Sequence, residues 1–303
     1  MGIMQISAFL SCFRQQQYEA LFSAECINAL THIENKYGTW LSPKVIYETE
    51  LCNHCKNIDF SVQLLSMDPL IGDYWLEFDY DEYCCGQKMT PSVFYNASAF
   101  VVSSEWWTNY QTHMEKYIGS DRATSLETQL KKTVVALDGF CSSLFQIGKM
   151  DSRGEKKSVR IYTRDMSHEH LINYLQKMQW TGDYSLISQW MTQLKKINER
   201  LGFTVSFDVM PDRISSKIGI EFTIPLSAMT YYEDIKNTLN LFIQQGVCVP
   251  EKAEDIIRWS NAPAFQLENQ KIINMITHIK LQFDSDKMLK AKCYLGQIPK
   301  RNS

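Results

Sequence analysis

Paired stretches of apolar/polar alternation constrain this chain more than any other feature. Phe145-Gln146-Ile147-Gly148 and Val159-Arg160-Ile161-Tyr162 place apolar residues at odd positions and mostly polar ones at even positions. The same alternation returns at 203–208 with 217–222, and again at 278–283 with 292–295. Successive strand residues face opposite sides, so each pair has one greasy face and one bearing Arg, Lys, Glu, His and Tyr. Helical stretches separate the pairs and can cover only the greasy face. The polar face then meets bulk water or lines an enclosed cavity, and that choice decides function.

Strands are expected near 143–150 and 158–163, ahead of helices near 168–178 and 184–200. A second pair near 203–210 and 217–224 precedes helices near 229–245 and 251–260; a helix starting near 268 leads into strands near 276–283 and 289–295. The pairs recur after about 60 and then about 70 residues, a supersecondary repeat rather than a solenoid period. Turn residues fall between strands at Asp151-Ser152-Arg153-Gly154, Pro211-Asp212 and Asp284-Ser285-Asp286. Upstream, residues 6–37 read as one or two amphipathic helices with Phe9, Phe13, Leu21, Phe22, Ile27 and Leu30 as the apolar stripe. Extended segments follow at 58–67 and 73–80, with a partner in 90–101, then helices at about 105–117 and 125–137. No Pro/Gly/Ser-rich linker interrupts the chain, so a single domain over residues 1–303 is expected. The fold class is α/β of the α+β kind, an α-β-β-α unit repeated along the chain. Hairpins joined edge to edge close into an antiparallel barrel of about ten strands with a polar lumen, ringed by helices. Closure also removes the exposed sheet edges.

Composition narrows the partners. With 45% hydrophobic and 21% charged residues the chain can bury a large core. A formal net charge of −3 and no long basic run argue against nucleic acid or an anionic membrane as partner. No apolar segment reaches bilayer-spanning length, and the N-terminal stretch lacks the basic flank of a signal peptide. The nine cysteines are unpatterned and odd in number, which fits a reducing cytoplasm. Cys52-Asn53-His54-Cys55 has the spacing of half a zinc site, but no second knuckle accompanies it, and Cys84-Cys85 reads as packing or loop. Asp79-Tyr80-Asp81-Glu82 lacks an Asp-Asp-x-x-Asp spacing and reads as a strand end and turn.

The strand signatures spread over about residues 70–296 resemble those of the ABBA, or PT-barrel, aromatic prenyltransferases, and of their dimethylallyl-tryptophan synthase branch in particular. Asp73-Tyr74-Trp75-Leu76-Glu77-Phe78-Asp79 resembles a first-hairpin strand whose glutamate holds the acceptor's indole N–H. Val159-Arg160-Ile161-Tyr162 resembles a strand ending in Lys-x-Tyr. Lys217-Ile218-Gly219-Ile220-Glu221 resembles one ending in Arg-x-Lys-x-Tyr, and Lys292-Cys293-Tyr294 a closing strand ending in x-Tyr. The chain departs from the pattern where Gly219 and Glu221 replace Lys and Tyr, and where no arginine stands on the partner of the first strand.

The resemblance implies transfer of a prenyl group, dimethylallyl in the first instance, from an allylic diphosphate to an indole or phenol in natural-product biosynthesis. It implies no obligatory cofactor: Mg2+ is compatible with the reaction but not required. Its partners would be the small-molecule diphosphate and an aromatic or peptide acceptor. Such chemistry needs cations for the leaving diphosphate, and Arg160, Lys217, Lys280 and Lys292 are the candidates. It needs aromatic faces around the carbocation, for which Tyr162, Tyr294 and Trp75 fit. It needs a carboxylate to orient the acceptor and take up a proton; Glu77 is the first choice and Glu221 the reserve. Gln146, His278 and Gly219 complete the candidate acceptor pocket. Two other readings stay open at this point. One is the same fold acting on a residue within a peptide, with Gly219 widening the barrel mouth. The other is a non-catalytic barrel binding a ligand or protein, whose cations form a solvated sheet face.

Overall fold

The computed structural model describes residues 18–37, 41–64, 74–81, 90–97, 110–141, 144–151, 158–226, 229–267 and 270–299. In chain order these form α1 (Ala24–Tyr37), β1 (Leu41–Glu50), β2 (Ile58–Leu64), β3 (Tyr74–Phe78) and β4 (Ser92–Asn96), then α2 (Tyr110–Ile118) and α3 (Ser120–Val135). Next come β5 (Leu144–Lys149), β6 (Val159–Thr163), α4 (His168–Lys177), α5 (Tyr184–Ile197), β7 (Thr204–Val209) and β8 (Ile214–Phe222). The chain continues with α6 (Tyr231–Gln244), α7 (Pro250–Asn261), a short β9 (Phe265–Leu267), and the long hairpin β10 (Gln270–Asp284) and β11 (Lys287–Pro299).

Every strand pairing is antiparallel, and the sheet runs β1 to β8 in order, then β10 and β11. β11 returns to pair with β1, closing a ten-stranded barrel, with β9 attached to β10 at one margin. The α-β-β-α rhythm expected from the alternation is therefore present. The greasy faces point outward: Val45, Phe60, Ile147, Ile161, Val205, Ile220 and Leu281 are buried. Helix residues such as Leu126, Leu171, Met191, Leu239 and Trp259 join them in one continuous apolar core. At about 25 cal/mol per Å2 of apolar surface removed from water, this layer supplies the main driving force for wrapping helices round the sheet.

Local sequence sets the helix ends. Ser167 caps α4 by accepting from the His170 N–H, and Asp183 caps α5 by accepting from Ser185 and Leu186. Pro250 opens α7, where its missing N–H costs nothing. Gly246, with φ 70°, ends α6 in a turn that returns the Val247 N–H to the Phe242 carbonyl and the Gly246 N–H to Ile243. None of the described helices is long and apolar enough to cross a membrane.

One expectation is corrected. Where the sequence pattern predicts a helix from near 268, the described residues form strands: β9 ends at Leu267 and β10 begins at Gln270, with Ile272 and Ile273 paired across to Pro299 and Ile298. The apolar run at Ile272, Ile273, Met275 and Ile276 fits helical and strand spacing alike, and pairing with β11 decides it. β1 lies in a stretch that carried no expectation of a strand. The N-terminal apolar positions Phe9 and Phe13, Cys84-Cys85 and most of the turn at 151–154 lie outside the described residues.

Candidate functional site

The lumen is lined by the polar parity of the strands and divides into two spaces. The larger is a cavity of about 750 Å3, within the range that suits a small organic ligand. Trp75 and Phe94 from β3 and β4, Tyr162 from β6, and His278 and Tyr294 from β10 and β11 give it aromatic walls; Glu77, Gln146 and Glu221 supply polar groups. Beneath it a space of about 80 Å3 is enclosed by Glu48, Arg160, Asp208, Lys217, Lys280 and Lys292. Tyr162, Tyr294 and Glu77 border both. Tyr162 thus meets Phe94 edge-on at 5.8 Å on one side and the Lys280 ammonium, 5.3 Å from its ring centre, on the other.

Ion pairs organise the lower space. Arg160 and Asp208 are directly opposed on β6 and β7, and the guanidinium grips both carboxylate oxygens at 2.8 Å. Lys280 and Glu221 are opposed on β10 and β8, with Nζ 2.9 Å from Oε1. Lys292 donates to Glu48, and at the margin Lys290 reaches Glu50 at 2.6 Å. Lys217 stands exposed at the rim. Lys280 and Lys292 face each other across the β10/β11 ladder, a repulsive arrangement that each relieves by turning to its own carboxylate.

These neighbours set the protonation states. Burial pushes Glu221 up, but the Lys280 ammonium, His278 and the Ser206 hydroxyl together more than offset that and hold it below the usual carboxylate range. The same balance, with Lys292 as the partner, holds Glu48 far below that range. Lys292 is held above the usual lysine value, its burial outweighed by the carboxyl groups around it, Glu48 first and then Asp59. Asp59 on β2, half-buried and beside charged Glu48, is pushed up to about 8 by desolvation first and then by Glu48. Burial, then nearby carboxylates, raise the Tyr162 and Tyr294 phenols well above their ordinary value. Burial lowers His278 despite the opposing charge of Glu221.

The structure gathers Arg160, Tyr162, Glu77, Trp75, Glu221, Lys280, Lys292 and Tyr294 around one lumen, with Gln146 and His278 lining the larger space. Gly219 requires correction: it borders the lower space and not the acceptor-sized one. Nor does it open room there, because a Cβ on it would lie 2.1 Å from Lys280 Cε and 2.6 Å from Ser206 Oγ. Lys280 on the adjacent strand fills the volume that a side chain on β8 would take. Sequence reasoning missed Glu48, Asp59, Asp208 and Phe94. Asp208 carried a usable signal, since it shares parity with Thr204 and Ser206. Among the described residues no group of three or more His, Cys, Asp or Glu is placed to hold a metal ion.

No protein-family model and no curated protein matches the sequence. Solved structures do match it in shape. The prenyltransferase PriB in its apo form superimposes with a TM-score of 0.55 at 9% identity, over 98% of this chain and 96% of that one. AnaPT from Neosartorya fischeri gives 0.54 at 9%, over 97% and 91%. PriB in a ternary complex with L-tryptophan and dimethylallyl thiolodiphosphate gives 0.51 at 9%, over 97% and 96%. At this identity the likeness speaks for the fold: the chain adopts the ABBA barrel of the aromatic prenyltransferases.

Proposed function

We propose that this chain transfers a prenyl group, dimethylallyl in the first instance, from an allylic diphosphate to an electron-rich aromatic acceptor such as an indole or phenol. The observation that carries the reading is the layer formed by Tyr162 and Tyr294, with aromatic walls above it and Arg160, Lys280 and Lys292 below. A neighbour of the same fold holds L-tryptophan together with a dimethylallyl diphosphate analogue, which supports an acceptor and a donor sharing one barrel.

In this reading the allylic C–O bond breaks and its electron pair leaves with the diphosphate. Arg160, Lys280 and Lys292, with Lys217 at the rim, meet the charge that develops there, in a cavity where low dielectric strengthens each contact. Tyr162, Tyr294 and Trp75 face the cation and exclude water. Glu77, 9% exposed and bordering both spaces, orients the acceptor through its N–H or O–H. The ring's π electrons then form the new carbon–carbon bond, and the ring proton is lost. The donor must first displace Asp208, Glu221 and Glu48 from the cations they hold.

That last requirement favours a second reading, a non-catalytic ligand-binding barrel, because Arg160, Lys280 and Lys292 already face carboxylates. A peptide acceptor gains no support from Gly219, whose space Lys280 takes. Incubation with dimethylallyl diphosphate and a panel of indoles, tyrosine derivatives and peptides, read by mass spectrometry, separates the readings. A ring-prenylated product is expected. Ligand binding without any prenylated product would overturn the transferase reading in favour of the second.

A further inference from the structure

β10 carries a bulge where it passes the larger cavity. Ile276 pairs with Leu295 and His278 with Tyr294, leaving Thr277 as the extra residue. Thr277 and His278, adjacent in sequence, consequently both line the cavity instead of alternating across the sheet. Gly296 on β11 makes the room: a Cβ there would lie 2.5 Å from Thr277 Cγ2.

The Thr277 hydroxyl donates to the Tyr294 carbonyl at 3.1 Å and also lies 3.0 Å from His278 Nδ1. A hydroxyl has one proton. With that proton on the carbonyl, the contact to Nδ1 requires Nδ1–H to be the donor and Thr277 Oγ1 the acceptor. A neutral imidazole carries a single N–H, so Nε2 keeps its lone pair. The ring is fixed by stacking on Tyr294, centres 3.8 Å apart and planes 20° from parallel. Nε2 lies 3.9 Å from Glu221 Oε2, while Lys280 and Ser206 hold the other oxygen of that carboxylate. Three ionisable groups act on the imidazole: Glu221 from β8, Lys280 from its own strand and Glu48 from β1. The two carboxylates favour its protonation, and Lys280 with burial opposes it.

We propose that His278 is the proton acceptor of the transfer, with Thr277 as the positioning residue that sets its tautomer and Glu221 as the partner of the imidazolium. The inference rests on the prenyl-transfer reading. Once the new carbon–carbon bond has formed, the C–H bond at that ring carbon breaks, its electron pair restores the aromatic ring, and the proton passes to Nε2. The imidazolium so formed has its Nε2 3.9 Å from Glu221 Oε2, close enough for that carboxylate's charge to stabilise it. The diphosphate has already left with its own electron pair, so charge balances without another reactant. Glu77 keeps the orienting role.

The test uses the full chain with 15N-labelled histidine, dimethylallyl diphosphate and the best acceptor from the panel. In the wild type, NMR is expected to show the Nδ1–H tautomer of His278, and Thr277→Val to lose that preference. His278→Gln should cut prenylated product by about a hundredfold, the scale of a lost general base. Release of diphosphate and prenyl alcohol should continue, because ionisation does not need the base. A ring-deuterated acceptor should reveal a primary isotope effect in His278→Gln that the wild type lacks. An Nε2–H tautomer in the wild type, or an active wild type whose His278→Gln variant keeps full rate without an isotope effect, overturns the proposal. A wild type inactive on every acceptor is a different result: it removes the transferase reading and the base with it.

Discussion

Replacing Lys280 by Met would strip the lumen of one partner in its best-buried ion pair. The Lys280 and Glu221 side chains are only 9% and 10% exposed, and their 2.9 Å contact is the main compensation for burying the carboxylate. Breaking such a pair from one side costs about 3–5 kcal/mol, since the remaining charge stays buried without its partner. The Ser206 hydroxyl, 3.1 Å from Oε1, retains a fraction of that support. Removing both charges in Lys280→Met with Glu221→Gln should return most of the loss, leaving the double variant within about 2 kcal/mol of the wild type. The pH dependence follows from the same contact. In the wild type Glu221 is held below the usual carboxylate range, so its stabilising contribution is present above the unfolded-state pKa and is lost as pH falls through the folded value. In Lys280→Met burial is opposed only by His278 and the Ser206 hydroxyl, so the folded value is expected to rise above the unfolded one and the sign to reverse. The variant's penalty should then be smallest in acid and widen as pH rises from about 4, the ordinary glutamate value. Urea denaturation of the four proteins of the cycle at pH 5 and pH 8 measures both effects. A penalty below about 1 kcal/mol, or one equal at the two pH values, would refute the account of Lys280 as the compensating charge.

Two further perturbations probe the same charge arrangement. Asp208→Asn removes the carboxylate that occupies both arms of the Arg160 fork, so pyrophosphate should bind about tenfold more tightly by calorimetry, given about 1.5–3 kcal/mol per charge-assisted contact; unchanged or weaker binding would take Arg160 out of the donor site. Asp59→Asn should stabilise the protein progressively more between about pH 4 and pH 8, because a carboxyl raised to about 8 contributes stability that is complete below its unfolded pKa and lost as pH rises through the folded one. The amide can still accept the Tyr80 N–H at the 2.8 Å Oδ1 position, and thermal melts at pH 5 and pH 8.5 showing the same gain, or none, would contradict this.

The barrel was legible because its lumen and its outer face obey one rule, strand parity, which short windows of sequence display. β6, β7, residues 217–221 of β8, 278–283 of β10 and 292–295 of β11 alternate cleanly, and their lumen residues could be named from parity alone; in β5 a register shift at Leu144/Gln146 sets Phe145 beside Gln146 at the larger cavity. β1 could not, because Pro43 and Lys44 interrupt its alternation and its strand character comes from pairing with β2 and β11. The partners of the cations were hidden for a different reason. Arg160–Asp208 and Lys280–Glu221 are cross-strand neighbours set by register, which no single strand encodes. Thr277 was hidden by the bulge, since simple alternation assigns it to the opposite face from His278.

Register also explains how a lysine reaches the lumen beside Gly219 of β8. Gln282 pairs with Gly219 and Lys280 with Glu221, so the Lys280 side chain enters the lumen two residues along the adjacent strand and leans across the glycine. A side chain at position 219 would force the Lys280 head group to shift, so Gly219 and Lys280 together set where the cation beneath Tyr162 lies. A cation supplied from β8 itself would not lie opposite Glu221; one supplied from β10 does, and is neutralised by it. Lys280 is therefore half of an ion pair. Any diphosphate entering this barrel must compete with Glu221 for Lys280 and with Asp208 for Arg160. On the proposed prenyl-transfer reading, donor affinity should accordingly depend as much on these carboxylates as on the cations, so a substrate screen should vary Asp208 and Glu221 together with the acceptor.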